Sequence, residues 1–315
     1  MTSSVLIVGA GAVGAFFGAA LARQNAAVSV VCRSDFTHVS ERGYRIRSNL
    51  LGDHTFRPHA VLREASACVS PPDYLILTSK VVADLDRAAL IRPAVGPSTV
   101  IVLIQNGIDI EPEIAEAFPD NELLSAVALI GVGRTGAGEI HHQSLGMLVL
   151  GCYPRGITPA AERLAQMFQA SGVGCKLTDE VVGARWQKAV WNAVFNPLSI
   201  LGGVLDTQIL TQTAGSRELI RRAMTEVCNV AQAVGHPIAA EHIDKLLATT
   251  VQMGAYKTSM ALDFEHGRPL ELEAILGNVL RAARNAKVAT PILATLYELA
   301  TIVDTKRELS KKKAT

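Results

Sequence analysis

The sequence predicts an α/β fold in which an N-terminal Rossmann-type doubly wound sheet is followed by an all-helical C-terminal domain. Strand and helix patterns alternate through the first half of the chain, whereas helical patterns follow one another through the second half. The length of 315 residues also exceeds the usual size of one domain. We expect the sheet domain to occupy residues 1–178 and the helical domain to occupy residues 179–315.

The chain begins with an apolar run over residues 5–8, which is typical of a buried strand and leads directly into a glycine-rich turn. The G-x-G-x-x-G spacing of glycines 9, 11 and 14, followed by a helical pattern over residues 12–24, is typical of a dinucleotide-binding turn. The N–H groups at the start of that helix would face the phosphates. The predicted cofactor contacts of this turn are Gly9, Ala10, Gly11, Ala12, Val13 and Gly14.

A second strand, over about residues 28–32, ends at Arg33-Ser34. An acid about 20 residues beyond the fingerprint would bind the ribose 2′-hydroxyl of NAD, whereas an arginine suits the 2′-phosphate of NADP. Arg33, rather than an acid, directly follows the strand. The sequence therefore predicts NADP(H) as the cofactor, with Arg33 as the residue that binds its 2′-phosphate.

One alternative interpretation of the first segment is a membrane span, because residues 5–22 carry no charge over eighteen positions. The preceding Met-Thr-Ser-Ser lacks the basic residues of a signal peptide, and the nucleotide turn accounts better for the glycine spacing. We therefore expect no association with a membrane.

Charge and cysteine content exclude several classes of protein. With 30 basic and 29 acidic residues, the net charge of +1 creates no field that would attract nucleic acid. The five cysteines are odd in number and include no C-x-x-C pair, which favours reduced thiols over disulfides or zinc. We expect a cytoplasmic protein with no bound metal and no nucleic-acid partner.

The other elements follow from apolar runs and helical periodicity. The polar stretch over residues 42–64 is expected to form short strands or loop. Further strands are expected at residues 73–78, 99–104, 123–132 and 174–177, with closing antiparallel strands within 131–151. Helices are expected up to about residue 91 and at residues 111–118, 159–169, 179–201, 216–234, 240–256, 271–287 and 291–308.

Polar residues follow two of these strands, as Ser79-Lys80 and as Gln105-Asn106-Gly107. Ligands of open α/β sheets bind beyond the carboxyl ends of the strands, which favours a cofactor contact for Lys80 and a nicotinamide and substrate contact for Asn106. The alternatives are an ordinary solvated lysine and a simple Asn-Gly turn.

Within the helix predicted over residues 179–201, Lys188, Asn192 and Asn196 recur every four residues and share one face. Apolar residues surround them, so the helix is expected to be buried, and a polar stripe in a buried helix must satisfy itself or face a polar cleft. The alternative is a solvated stripe with structural asparagines. Asparagine is a mediocre helix former, so two of them in such a helix need a reason.

Taken together, these motifs resemble the ketopantoate reductases (2-dehydropantoate 2-reductases), and the resemblance covers nearly the whole chain. The matching residues are, in chain order, Gly9 to Gly14, Arg33, Ser79-Lys80, Gln105-Asn106-Gly107, Lys188, Asn192, Asn196-Pro197-Leu198, Thr258-Ser259-Met260, Asp263 and Glu271. The resemblance implies NADPH-dependent reduction of a 2-oxo acid between a Rossmann domain and a helical domain. The implied reaction converts 2-dehydropantoate to pantoate, a step of pantothenate biosynthesis.

The resemblance also implies roles for individual residues. The lysine that matches Lys188 is the general acid of the family, and the glutamate that matches Glu271 helps to organise the ternary complex. The implied substrate contacts are Asn106, Asn192, Asn196 and Ser259, and the implied cofactor contacts include Lys80 and Asn106. The chemistry is consistent with this, because hydride delivery to a ketone leaves an alkoxide that an ammonium can stabilise and protonate.

At two positions the chain departs from the family pattern, with Asp206 and Tyr256 where asparagine is frequent. An acid there would repel a substrate carboxylate, and a tyrosine would enlarge an apolar wall, so the exact 2-oxo acid stays open. The alternatives are another NADP(H)-dependent 2-hydroxy acid or opine-type dehydrogenase of the same plan, or a non-catalytic NADP(H)-binding sensor. Oligomeric state, including a homodimer, and product stereochemistry also stay open.

Overall fold

The computed structural model describes residues 2–314, and this part of the chain divides into two compact units. The first unit comprises the chain up to Asn106 and the segment Ile110–Val181. The second comprises the short segment Gly107–Asp109 and the chain from Val182 onward. Each unit has its own core of buried apolar side chains.

Within the described residues, the first unit is built on a ten-stranded sheet. Its strands are β1 (Ser4–Val8), β2 (Ala27–Val31), β3 (Tyr44–Ser48), β4 (His54–Phe56), β5 (Val61–Leu62), β6 (Tyr74–Leu77), β7 (Val100–Leu103), β8 (Leu123–Gly136), β9 (Glu139–Cys152) and β10 (Gly174–Leu177). The order is β4-β3-β9-β8-β7-β6-β1-β2-β5, with β10 beside β9. All neighbours from β8 to β5 in this order are parallel. The predicted Rossmann-type α/β fold is confirmed.

The helices of this unit are α1 (Ala12–Ala22), α2 (Phe36–Arg42), α3 (Arg87–Ile91), α4 (Pro112–Ala117) and α5 (Pro159–Ala170). Helix α1 is apolar throughout and is buried from Gly14 to Leu21. Its Phe17 ring packs edge-on against Phe168 of α5, with centroids 5.6 Å apart. Central strands such as β6 are buried along their whole length, which is why they read as continuous apolar runs.

Strands β8 and β9 form a long antiparallel hairpin whose register shifts at three places, between Leu129 and Ile130, between Gly131 and Val132, and between Arg134 and Gly136. Bulges of this kind bend and twist a strand. At the hairpin tip, the Gly138 carbonyl accepts a hydrogen bond from Arg45 N of β3 at 2.8 Å. Gly138 N also donates to Asp35 Oδ2 at 3.1 Å, so the hairpin tip contacts the loop that follows β2.

The described part of the second unit is helical. Its elements are α6 (Val181–Leu201), α7 (Thr207–Leu210), α8 (Ala214–Ala233), α9 (Glu241–Met253), α10 (Ser259–Glu265), a π-helical turn (Glu273–Gly277), α11 (Asn278–Ala286) and α12 (Pro291–Ala314). Helix α6 supplies Trp186, Val190 and Phe195 to the core of this unit. The predicted all-helical C-terminal domain is confirmed.

The structure differs from the sequence expectation mainly at short elements. Helices α2, α7 and α10 were not predicted, because seven residues or fewer are too few for periodicity to show. The helix expected before residue 91 begins only at Arg87, where Asp86 caps it by accepting from Ala89 N at 2.8 Å. The helix expected over 271–287 starts with the π-helical turn.

The uncharged residues 5–22 form β1 from Val5 onward, the glycine turn and α1, which is 11 residues long. Across residues 2–314, no helix combines the length and the apolar character that crossing a bilayer would require. The same residues bring no three His, Cys, Asp or Glu side chains together as a metal site.

Candidate active site

Gly9 and Gly11, in the turn after β1, differ in how closely other protein atoms surround them. Gly9 has a φ of +90°, and a β-carbon there would lie 2.5 Å from Ser79 N, so packing requires glycine. A β-carbon at Gly11 would meet only the Gly9 oxygen, at 3.9 Å, among the described atoms. Since protein packing does not demand glycine at position 11, close approach of a ligand explains it better.

The glycine turn is fixed from beneath by two hydroxyl groups. The Thr78 hydroxyl donates to the Gly9 oxygen at 2.9 Å, and the Tyr44 hydroxyl donates to the Ala10 oxygen at 2.8 Å. Burial raises the pKa of Tyr44 well above its usual range, so this hydroxyl remains a donor. Gly11 is the N-cap of α1 and offers no side chain to cap the helix, which leaves the first helical turn suited to an anion.

The turn and the predicted polar residues meet at one edge of the sheet. Strands β2, β1, β6 and β7 are parallel neighbours, so their carboxyl ends share an edge. Arg33 follows β2 and is exposed, while Lys80 and Asn106 follow β6 and β7 and are partly buried. The structure thus brings these three predicted cofactor residues to the edge that carries the glycine turn.

A buried network behind this edge was not predicted. Gln105 donates through Nε2 to the Ser79 oxygen at 2.6 Å and accepts through Oε1 from Arg87 at 3.1 Å. Arg87 is buried and also donates to the Ile110 oxygen at 2.8 Å. Gln105 therefore ties the end of β7 to the turn that carries Lys80. A glutamine directly before Asn-Gly was the only sequence signal for it.

In the second unit, α6 carries the predicted polar stripe. Lys188 and Asn192 are partly buried, and Asn196 is only 1% exposed. Asn196 accepts through Oδ1 from Met260 N at 3.4 Å, next to Ser259 at the start of α10. Its Nδ2 is buried with no hydrogen-bond partner among the described residues. A buried donor without an acceptor costs about 1–3 kcal/mol, so this amide is suited to a ligand oxygen.

The environment of Lys188 changes its acidity. Burial, together with the Arg185 guanidinium, lowers the pKa of Lys188 to about 8, and the Glu271 carboxylate acts in the opposite direction. Glu271 thus lies close enough to act electrostatically on the ammonium. The Glu271 carbonyl accepts from Ile275 N at 3.0 Å, at the start of the π-helical turn, a distortion that is frequent at functional sites.

Arg185 was missed by the sequence analysis. It is 3% exposed and donates to the Gly107 oxygen at 3.2 Å, while Asn278 donates to the Ile108 oxygen at 2.7 Å. Ile108 N in turn donates to the Ala274 oxygen at 3.2 Å. These bonds hold the segment that directly follows Asn106. The signal was a second charge in an apolar helix, three residues before Lys188.

The two positions that depart from the family pattern both have structural partners. Asp206 caps α7, because its Oδ1 accepts from Ile209 N at 2.9 Å. The Tyr256 backbone donates to the Thr207 hydroxyl at 3.1 Å. Its ring lies 6.4 Å from that of Trp191, so the two form one aromatic surface.

Comparison with known proteins agrees with this arrangement. The chain matches the model of ketopantoate reductase PanE/ApbA over residues 5–155, and the model of the C-terminal part of the same family over residues 180–304. It is 31% identical to a 2-dehydropantoate 2-reductase of Nostoc sp. over 95% of this chain and 94% of that protein.

Two solved structures are also similar. The crystal structure of 2-dehydropantoate 2-reductase from Methylococcus capsulatus is 49% identical, with a TM-score of 0.90 over 96% of this chain and 97% of that one. D-mandelate dehydrogenase, in a ternary structure with NADH and anilino(oxo)acetate, is 22% identical with a TM-score of 0.87 over 97% and 99%, and shares the fold.

The nucleotide turn, the lysine helix and these matches define an NADP-dependent oxidoreductase. The chain belongs to the ketopantoate reductase family, whose members use NADPH.

Proposed function

We propose that this protein reduces 2-dehydropantoate to pantoate with NADPH, a step of pantothenate biosynthesis. The observation that carries the proposal is the polar stripe of α6. It combines Lys188, whose pKa is lowered to about 8, with Asn196, whose buried Nδ2 has no hydrogen-bond partner among the described residues. The identities of 31% and 49% to proteins named 2-dehydropantoate 2-reductase support the same substrate.

The first unit supplies the nucleotide-binding residues of this proposal. The turn Gly9, Ala10, Gly11, Ala12, Val13, Gly14 would hold the pyrophosphate, Arg33 the 2′-phosphate, and Lys80 and Asn106 the remainder of the cofactor. When bound, NADPH supplies the hydride that reduces the ketone carbon. The open β-carbon position at Gly11 is the observation that favours this assignment.

Lys188 is the proposed general acid. Its ammonium stabilises negative charge on the former carbonyl oxygen and then donates a proton to it from Nζ. A pKa of about 8 suits this role, because the group is protonated at neutral pH and is a stronger acid than an ordinary lysine. Glu271 acts as the counter-charge that keeps the ammonium protonated.

Asn192, Asn196 and Ser259 are the proposed substrate-binding residues. Neutral amides can bind a carboxylate and a hydroxyl without adding charge to the site. The buried Asn196 Nδ2 would find in the substrate the acceptor oxygen that the described protein does not give it. A 2-oxo acid that also carries a hydroxyl group would use several of these donors at once.

The test is NADPH oxidation with a panel of 2-oxo acids at equal enzyme concentration. We expect the highest kcat/KM for 2-dehydropantoate, with 2-oxoisovalerate as the comparison substrate that lacks the hydroxymethyl group. A higher kcat/KM for 2-oxoisovalerate would contradict the assigned substrate. NADPH binding without turnover of any member would favour the sensor alternative.

A second candidate is reduction of an aryl 2-oxo acid to a 2-hydroxy acid. The aromatic surface of Trp191 and Tyr256 favours it, since a tyrosine gives an apolar wall where the family often has an amide. Phenylglyoxylate in the same panel distinguishes the two candidates. Tyr256→Asn should then lower its kcat/KM selectively.

A homodimer and a cytoplasmic location remain predictions. Sedimentation of the full chain and fractionation of cells that express it would test them.

A further inference from the structure

The residues that follow β2 form a compact polar cluster next to Arg33. Asp35 is 8% exposed, and its carboxylate accepts three hydrogen bonds. Arg134 donates to Oδ1 at 2.8 Å, Ser34 donates to Oδ1 at 3.1 Å, and Gly138 N donates to Oδ2 at 3.1 Å. The same Arg134 nitrogen donates to the Ser34 hydroxyl at 2.9 Å.

An acid at this place in the fold needs an explanation. A carboxylate beyond the second strand is the group that selects NAD, because it binds the ribose 2′-hydroxyl and repels a 2′-phosphate. Asp35 follows Arg33 by two residues, so the cation and the acid lie in the same loop. In this structure the carboxylate is paired with Arg134 and turned to the backbone of Gly138.

The partner of Asp35 comes from a distant part of the chain. Arg134 lies near the end of β8, beside the last register shift of the β8–β9 hairpin. Gly138, at the hairpin tip, fits closely over α2, since a β-carbon there would lie 2.5 Å from His38 Cδ2. The Arg134 side chain is 37% exposed, so it keeps a face towards solvent while it pairs with Asp35.

The Asp35–Arg134 ion pair acts electrostatically on Tyr44, a residue that contacts the glycine turn. The Tyr44 hydroxyl donates to the Ala10 oxygen, and its pKa is raised first by burial, then by Cys32 and by Asp35, while Arg134 acts to lower it. Arg63 is a further cation at the start of α2, where its guanidinium lies 4.0 Å from the centre of the Phe36 ring.

We propose that Arg134 is a specificity-determining residue for nucleotides that carry a 2′-phosphate. It neutralises Asp35, which would otherwise repel that phosphate, and it offers a second cation beside Arg33. The proposal rests on the proposed use of NADPH. It adds a residue of the β8–β9 hairpin that lies 101 positions after Arg33 in the sequence. The loop after β2 therefore depends on this hairpin for its selectivity.

Equilibrium binding to the full-length protein tests the proposal without any turnover. The ligands are NADPH and NADH, and the pair 2′,5′-ADP and 5′-AMP, which differ only in the 2′-phosphate. The variants are Arg134→Ala, Asp35→Asn, both together, and Arg33→Ala. Arg47→Ala is the matched control, since it removes one exposed arginine from β3 of the same unit.

We expect Arg134→Ala to lower the affinity for NADPH and for 2′,5′-ADP by about tenfold to a hundredfold, as the loss of a charge-assisted hydrogen bond implies. NADH and 5′-AMP should bind as before. Asp35→Asn alone should not lower the affinity for NADPH. In the Arg134→Ala background it should restore at least part of the lost affinity. Arg47→Ala should change the affinity for every ligand alike.

If Arg134→Ala lowered the affinity for NADPH and NADH equally, or lowered neither, the proposal would be overturned. Selective weakening of NADPH by Asp35→Asn would also overturn it, and this variant keeps the arginine in place if Arg134→Ala fails to fold. If Arg33→Ala loses selectivity and Arg134→Ala does not, only this inference fails. If the unaltered protein binds NADPH and NADH equally, the proposed NADPH dependence fails as well.

Discussion

The rate of the chemical step should fall as pH rises through about 8. Burial in the apolar surroundings of α6, together with Arg185, lowers the pKa of Lys188 to about 8, and Glu271 offsets part of that change. Since the ammonium is the proposed proton donor, only enzyme with protonated Lys188 completes the reaction. The activity should therefore be present below this pKa and lost above it.

The size of the effect follows from the titration curve. With a pKa of about 8, roughly 90% of Lys188 is protonated at pH 7 and roughly 10% at pH 9, so the rate should drop about tenfold between them. A solvated lysine with an ordinary pKa of about 10.4 would remain more than roughly 90% protonated at pH 9 and would give a nearly flat profile.

Two substitutions should move the profile in opposite directions. Glu271→Gln removes the carboxylate that raises the pKa of Lys188, so the descending limb should shift to lower pH. Arg185→Gln removes the cation that lowers it, so the limb should shift to higher pH. Glu273→Gln is the matched control, because this half-exposed carboxylate lies two residues from Glu271 and pairs with Arg281.

The assay is single-turnover reduction under saturating NADPH and 2-dehydropantoate, from about pH 6 to 10 at constant ionic strength. The position of the limb is the readout, since a structural role of Glu271 would change the amplitude and leave the position in place. A flat profile up to pH 10, or a shift to higher pH in Glu271→Gln, would refute the assignment of Lys188 as the acid.

Three further predictions concern single residues. Lys188→Ala should lower kcat by about 10²–10⁴-fold with NADPH affinity unchanged, and a near-native single-turnover rate in this variant would rule the lysine out as acid. Lys188→Arg should restore little activity, because a guanidinium scarcely releases its proton. Asn192→Ala and Asn196→Ala should raise the KM for the 2-oxo acid by about tenfold, the loss expected for one hydrogen bond, without weakening NADPH; unchanged KM values would show that the amides are structural. Gly11→Val should abolish NADPH binding in titrations while the melting temperature stays close to that of the unaltered protein, because the β-carbon position at Gly11 meets only the Gly9 oxygen at 3.9 Å; retained affinity would contradict the nucleotide assignment.

The local parts of the fold could be predicted from the sequence. Strand β10 spans the expected residues 174–177, and the strands and helices around the glycine turn lie within a few residues of their expected positions. Apolar runs and glycine spacing are properties of neighbouring residues, so one segment is enough to reveal them. The four-residue spacing of Lys188, Asn192 and Asn196 is local in the same way.

Contacts between distant segments could not be predicted in this way. Arg134 and Asp35 are 99 residues apart, and they meet because the β8–β9 hairpin bends at its bulges. Arg185 and Gly107 are 78 residues apart, and their hydrogen bond fixes the segment next to Asn106. Bulge positions and sheet curl depend on packing against many other residues, which no single segment encodes.

The sequence by itself determined the order of the elements, the nucleotide turn and the polar stripe of α6, because periodicity and glycine spacing act within one segment. The tertiary structure decided how acidic Lys188 is, that Asn196 keeps a buried amide without a partner, and that Asp35 is neutralised by Arg134. These properties arise from burial and from charges on other segments, so they exist only once the chain has folded.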